Sequence, residues 1–98
     1  MPNSLKDIQD EIDSIKQKLT EIGNMRPGNL NKQFRKPKEK QGAYYQLNYT
    51  HKNKTRTDYV RVGMVDIIAS ELDEYKKFRG LTERWVELSI QASKMSIK

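Results

Sequence analysis

Apolar residues stand at Leu5, Ile8, Ile12, Ile15, Leu19 and Ile22, separated by three, four, three, four and three positions, and everything between them is polar or charged. This spacing is a heptad seam and predicts a helix over 5–22. Ser4 is placed to cap its start with Asp7 three residues on, and Gly23 to end it in the left-handed conformation. The seam is only two positions wide per heptad, narrower than the face a globular helix usually buries, so it requires one or two partner helices.

A second seam supplies a partner. Phe78, Leu81, Trp85, Leu88, Ala92 and Met95 repeat the three-four spacing over a matching length, and Ile68, Leu72 and Tyr75 continue the stripe upstream, which predicts a helix over 64–97. The step from Tyr75 to Phe78 is a second consecutive step of three, a local phase shift, and Gly80 beside it marks the place for a kink. Two arrangements use these stripes: an antiparallel pair whose seams form a common core, or a seam that partly closes a dimer. Trp85 lies within the seam and reads as a core anchor rather than a stacking platform.

Between the helices the period drops to two. The stretches 43–50 and 55–62 are rich in Tyr, Thr and Val, with Lys52 and Asn53 at the centre of a short turn, so 43–62 is predicted as a β-hairpin. With that turn, Tyr45, Leu47, Tyr49, Arg56, Asp58 and Val60 share one face, and Tyr44, Gln46, Asn48, Thr57, Tyr59 and Arg61 share the other. A lone hairpin is marginal in water, so the more apolar face must lie on the helices and the polar, basic face is left for a ligand.

Pro27 and Gly28 mark a turn ahead of the hairpin and Pro37 rules out a helix interior, so 24–42 reads as a loop. It is basic: Lys32, Arg35, Lys36, Lys38 and Lys40 fall within nine positions, diluted only by Glu39. Across 24–63 ten basic residues meet only two acidic ones, a local charge of +8, while the segment before it carries −2 and the segment after it zero, for +6 in all. A basic run is usually a solvated loop. Next to a hairpin bearing Lys52, Lys54, Arg56 and Arg61 it reads instead as one cationic footprint interleaved with tyrosines, fitted to phosphates and bases.

Other chemistries find little in the chain. It has 98 residues, 35 % of them hydrophobic, which makes for a single domain with a thin core. There is no cysteine, and one histidine, His51, cannot assemble a metal site alone, so no cofactor is expected. No stretch approaches the roughly 20 apolar residues that cross a bilayer, and none has the length of a signal-peptide core, which points to a cytoplasmic protein without a membrane partner. Catalysis would draw on His51, Glu39 and Asp58 in the basic segment; these do not cluster, His51 sits at a hairpin tip, and no enzyme is expected.

The strings Ile22-Gly-Asn-Met-Arg-Pro-Gly-Asn-Leu30, Gly42-Ala-Tyr-Tyr-Gln-Leu47, Thr57-Asp-Tyr-Val60 and Tyr75-Lys-Lys-Phe78 resemble a family of small prokaryotic proteins of unknown function, often encoded beside transposases. The resemblance runs over nearly the whole chain and carries no established activity. Many such proteins have a Cys-Gly-Lys-Pro segment with further cysteines before the hairpin, a pattern that reads as a small metal knuckle. Here the matching stretch is Arg35-Lys36-Pro37-Lys38, which removes the metal inference and leaves lysines in the knuckle's place.

The expectation is therefore an α+β fold: heptad helix, basic loop, two-stranded hairpin and long C-terminal helix, with the helices antiparallel. Its expected function is nucleic-acid binding, with DNA ahead of RNA because a β-ribbon fits the B-DNA major groove. Lys32, Arg35, Lys36, Lys38, Lys40, Lys52 and Lys54 are the phosphate candidates, and Tyr44, Gln46, Asn48, Arg56, Tyr59 and Arg61 the candidates for base contact or stacking. The alternative is a helical adaptor that docks a second copy or a partner protein through its seams.

Overall fold

A computed structural model describes residues 4–97, and Met1–Asn3 and Lys98 of the expected domain lie outside the described residues. The elements run helix α1 (Leu5–Leu19), strands β1 (Asn29–Lys36), β2 (Gln41–His51) and β3 (Lys54–Val60), a single 3-10 turn (Val62–Met64), and helix α2 (Val65–Ser96). The fold is α+β, with an antiparallel sheet in the order β1-β2-β3.

Two compact units divide the chain. The helical unit takes the chain up to Gly23 and from Lys76 onward, and the sheet unit takes Asn24–Tyr75, with α2 contributing to both. In the helical unit the two helices meet through the predicted seams: Ile8, Ile12, Ile15 and Leu88 are buried, with Leu19, Leu81, Trp85 and Ala92 packed on them. The Ser4 hydroxyl accepts from the Asp7 backbone N–H at 3.1 Å, as the capping pattern predicts. α1 stops at Leu19, short of the expected Ile22, because the Thr20 hydroxyl donates to the Gln17 carbonyl at 2.6 Å and closes the last turn. Gly23 does not take the left-handed conformation; among the described residues the glycines with positive φ are Gly28 and Gly42. α2 continues through Gly80 without a break.

The sheet unit departs from expectation in one respect. The 24–42 segment is not a loop throughout: its centre is β1, which pairs with β2 over the register Asn29↔Asn48 to Lys36↔Gln41. The ribbon is therefore three strands wide. Residues 37–40 form the β1–β2 turn, with Lys40 at φ 51°, so the stretch expected to replace a metal knuckle is the end of a strand and the start of a turn. Lys52 and Asn53, at φ 52° and 64°, make the predicted two-residue turn between His51 and Lys54. Two positive φ values in succession are what the right-handed twist of a hairpin demands there.

One face of this sheet is the core of its unit. Leu47 and Val60 are buried with Ile68 and Leu72 of α2, and Leu30, Tyr45, Tyr49 and Val65 pack around them. Asp58 emerges on the same face beside Leu47 and is held by Arg26, Nη2 to Oδ2 at 2.7 Å. Arg26 also stacks its guanidinium over the Tyr49 ring at 5.0 Å and donates its backbone N–H to the Glu71 carbonyl. One residue thereby ties the segment entering β1 to β2, β3 and α2.

Candidate nucleic-acid interface

Alternation along the strands sends the remaining side chains to the opposite face. β2 presents Tyr44, Gln46 and Asn48 there, and the register sets Gln33 of β1 against Tyr44, Asn31 against Gln46, Gln46 against Tyr59 of β3, and Asn48 against Thr57. None of these residues is buried, and Tyr59 is 62 % exposed. Across the three strands runs a diagonal row. The Arg35 guanidinium lies 5.8 Å from the Tyr44 ring centroid, and the Tyr44 and Tyr59 rings stack with centroids 6.2 Å apart and planes at 24°. Cross-strand neighbours of this kind hold one another's rotamers, so the rings form a pre-ordered platform. Beside it the Thr57 hydroxyl donates to the Asn48 side-chain oxygen at 2.7 Å.

Five of the six base or stacking candidates fit this face. Tyr44, Gln46, Asn48 and Tyr59 belong to it directly, and Arg61 follows β3 in extended conformation at the entry to the 3-10 turn. Arg56 does not: it pairs with Tyr49 and so belongs to the core-side face. The phosphate candidates are spread more widely than one continuous footprint. Arg35 lies on the open face, while Lys32, Lys36 and Lys54 alternate onto the core-side face, where the Lys32 ammonium sits 5.4 Å over the Phe34 ring. Lys38 and Lys40 occupy the turn before β2 and Lys52 the turn after it. The eleven residues of β2 separate those turns, roughly 34 Å from its first to its last residue at an antiparallel rise of about 3.4 Å per residue.

The arrangement is thus a polar, aromatic floor about three strands wide, with a cationic turn at each end. Asn31 and Gln33 join the floor although the sequence did not point to them. Their signal was faint, since β1 has only Leu30 and Phe34 as apolar residues and carries Lys32, Arg35 and Lys36 among them. His51 and Glu39 stand at the two opposite ends of β2 and Asp58 is paired with Arg26, so the three acid-base candidates are not brought together. Among the described residues no group of three or more His, Asp or Glu side chains is arranged to hold a metal ion.

The model of a domain of unknown function, DUF6788, matches residues 5–69. The chain belongs to the DUF6788 family. The matched region takes in α1, the whole sheet and the first residues of α2, so the sheet face and both its turns lie inside the DUF6788 domain. No curated protein and no solved structure matches the chain.

Proposed function

We propose that this DUF6788 protein binds nucleic acid across the open face of its sheet, with a single strand as the preferred form. The row Arg35, Tyr44, Tyr59 carries the reading: a pre-stacked pair of rings, Tyr59 exposed and Tyr44 half-buried, backed by a guanidinium offers π-faces to unpaired bases, which stack on such platforms with little regard to sequence. Gln33, Gln46 and Asn48 flank the rings with donors and acceptors for base edges. A strand laid along β2 from turn to turn meets Lys38 and Lys40 at one end and Lys52 at the other, which supplies phosphate contacts on both sides of the stacked bases. Bases locked in a duplex have no π-face to give this floor, so a single strand is favoured over the major-groove mode. The resemblance to proteins encoded beside transposases makes a mobile element the natural setting, where single strands are exposed during strand exchange. The adaptor reading has less support, because the seam residues Ile8, Ile12, Ile15 and Leu88 already bury one another.

The test is a titration of the protein with labelled single-stranded DNA, the corresponding duplex and a single-stranded RNA at two salt concentrations. Single strands are expected to bind more tightly than the duplex. Tyr44→Ala should weaken that binding by about 5- to 150-fold, the worth of about 1–3 kcal/mol of stacking. Replacing Lys38, Lys40 and Lys52 by alanine should flatten the salt dependence by up to about two logarithmic units per decade of salt. Unchanged affinity in the Tyr44 variant, or an unchanged salt slope in the lysine variant, would remove the sheet face from consideration.

A further inference from the structure

The C-terminal half of α2 carries a second apolar stripe besides the seam that faces α1. Val86, Ile90 and Ser93, with Ile97 just past the end of α2 and its N–H donating to the Ser93 carbonyl at 3.1 Å, follow steps of four, three and four, and at about 100° per residue they fall within a sector of about 60° on a side of the helix different from Leu81, Leu88 and Ala92. Thr82 and Ser89 border it. Val86 is 58 % exposed and Ile90 50 %, and together with Trp85 and the three hydroxyl residues they line a shallow apolar groove of about 660 Å³. A helix with apolar stripes on two sides is built for a bundle with more members than α1 supplies.

We propose that this stripe is covered by the same stripe of a second copy of the chain, the two helices running antiparallel. The charges along one border of the stripe select that partner and that direction. Glu83 and Glu87 lie on this border near its start, and Lys94 lies on it near its end. In a two-fold antiparallel pair the same border of each helix faces the same side. Setting Val86 against Ile90 of the second copy then brings Glu83 to within one residue, about 1.5 Å along the axis, of Lys94 of the second copy, and symmetry makes the contact twice. In a parallel pair Glu83 would stand level with its own equivalent and the attraction would be lost. Glu83 already contacts Arg79 at 3.2 Å, but both side chains are more than half exposed, so that pair offers little resistance to a new one. Thr82, Ser89 and Ser93 are small enough to let the two backbones approach. The stripe spans 12 residues, about 18 Å of helix, which is less than a standard interface, and association in the range of about 10–100 μM is expected.

Sedimentation equilibrium of the full chain from about 1 to about 500 μM tests this. The wild type should pass from monomer to dimer across that range. Ile90→Asp should weaken the dimer at least about tenfold; because Ile90 is half exposed, circular dichroism should stay that of the wild type. The charge variants give a second line that does not touch the apolar residues: Glu83→Lys and Lys94→Glu should each weaken the dimer, and E83K/K94E together should restore it to within about threefold of wild type. A wild type that stays monomeric throughout, a dimer indifferent to Ile90→Asp, or a double variant no better than either single would each overturn the proposal. A partner protein as the true occupant would appear as the first of these outcomes.

Discussion

Gly28 has no room for a side chain. A Cβ placed there would stand 2.5 Å from the Asn48 carbonyl oxygen and 2.9 Å from the Tyr49 Cβ, and its φ of +124° is one that other residues rarely adopt. Both obstacles are backbone or near-backbone atoms of the central strand and cannot move aside cheaply. Gly28→Ala should therefore destabilise the sheet unit by about 2 kcal/mol or more, seen as an earlier urea midpoint followed by tyrosine near-ultraviolet dichroism. Gly80→Ala should do the opposite. An added Cβ meets nothing within 4 Å at that helical position, so about 1 kcal/mol of helix propensity is gained. Equal effects at the two positions would show that crowding at Asn48 plays no part. At this scale the sequence spoke plainly where a residue type is bound to a backbone state, as at Ser4, Lys52 and Asn53. It misled at Gly23, because the Thr20 hydroxyl ends α1 before the glycine is reached.

The elements show where periodicity is a sufficient signal and where it is not. Both helices were legible because their apolar positions recur over many turns, and the register of β2 with β3 followed from a two-residue turn and the rule of alternation. β1 was not legible. With Leu30 and Phe34 its only apolar residues, alternating with Lys32 and Lys36 on the inner side, and three cations among eight residues, it has the composition of a loop and becomes a strand only by pairing with the tyrosine-rich β2. Missing it also hid Asn31 and Gln33 and made the basic cluster look like one patch when the strand distributes it over two faces and a turn. The second stripe on α2 went unread for a related reason: Val86 and Ile90 are diluted by Thr82, Ser89 and Ser93. Between the helices the Arg84 guanidinium grips Glu11 with two bonds, Nε to Oε2 at 2.6 Å and Nη2 to Oε1 at 3.1 Å. Those bonds hold the Glu11 carboxyl below the usual carboxylate range and hold Arg84 above its ordinary value. A lowered folded-state value means that the contact stabilises the folded form above the carboxyl's unfolded value and that this contribution is lost as the pH falls through the folded one. Glu11→Gln should accordingly be less stable than wild type near neutrality, with the difference shrinking on acidification. A difference constant with pH, measured by thermal denaturation at a series of pH values, would disconnect the pair from folding.

For the molecule as a whole, the division of labour is between a helical unit and a sheet unit, and one fluorophore reports on the first. Trp85 packs on the buried seam residues with the Lys16 ammonium 5.4 Å from its ring, and it takes no part in the sheet face. Saturating the protein with single-stranded DNA should therefore leave tryptophan emission within about 10 % of its free value while the tyrosine signal of Tyr44 and Tyr59 changes. Strong tryptophan quenching would move the interface to the helices. Nothing in composition alone divides the chain into two compact parts, because each part borrows a stretch of the same 32-residue helix and the seams read as one continuous design.

β1 is an outermost strand of the sheet, and a bare rim of amides and carbonyls invites further chains to add themselves indefinitely. Its lysines change that. Copies stacked rim to rim would bring Lys32 and Lys36 of each chain into mutual repulsion, so fibre growth is discouraged by the same ammonium groups that give the sheet its positive charge. Solubility at high concentration should consequently be most fragile in variants that neutralise this rim.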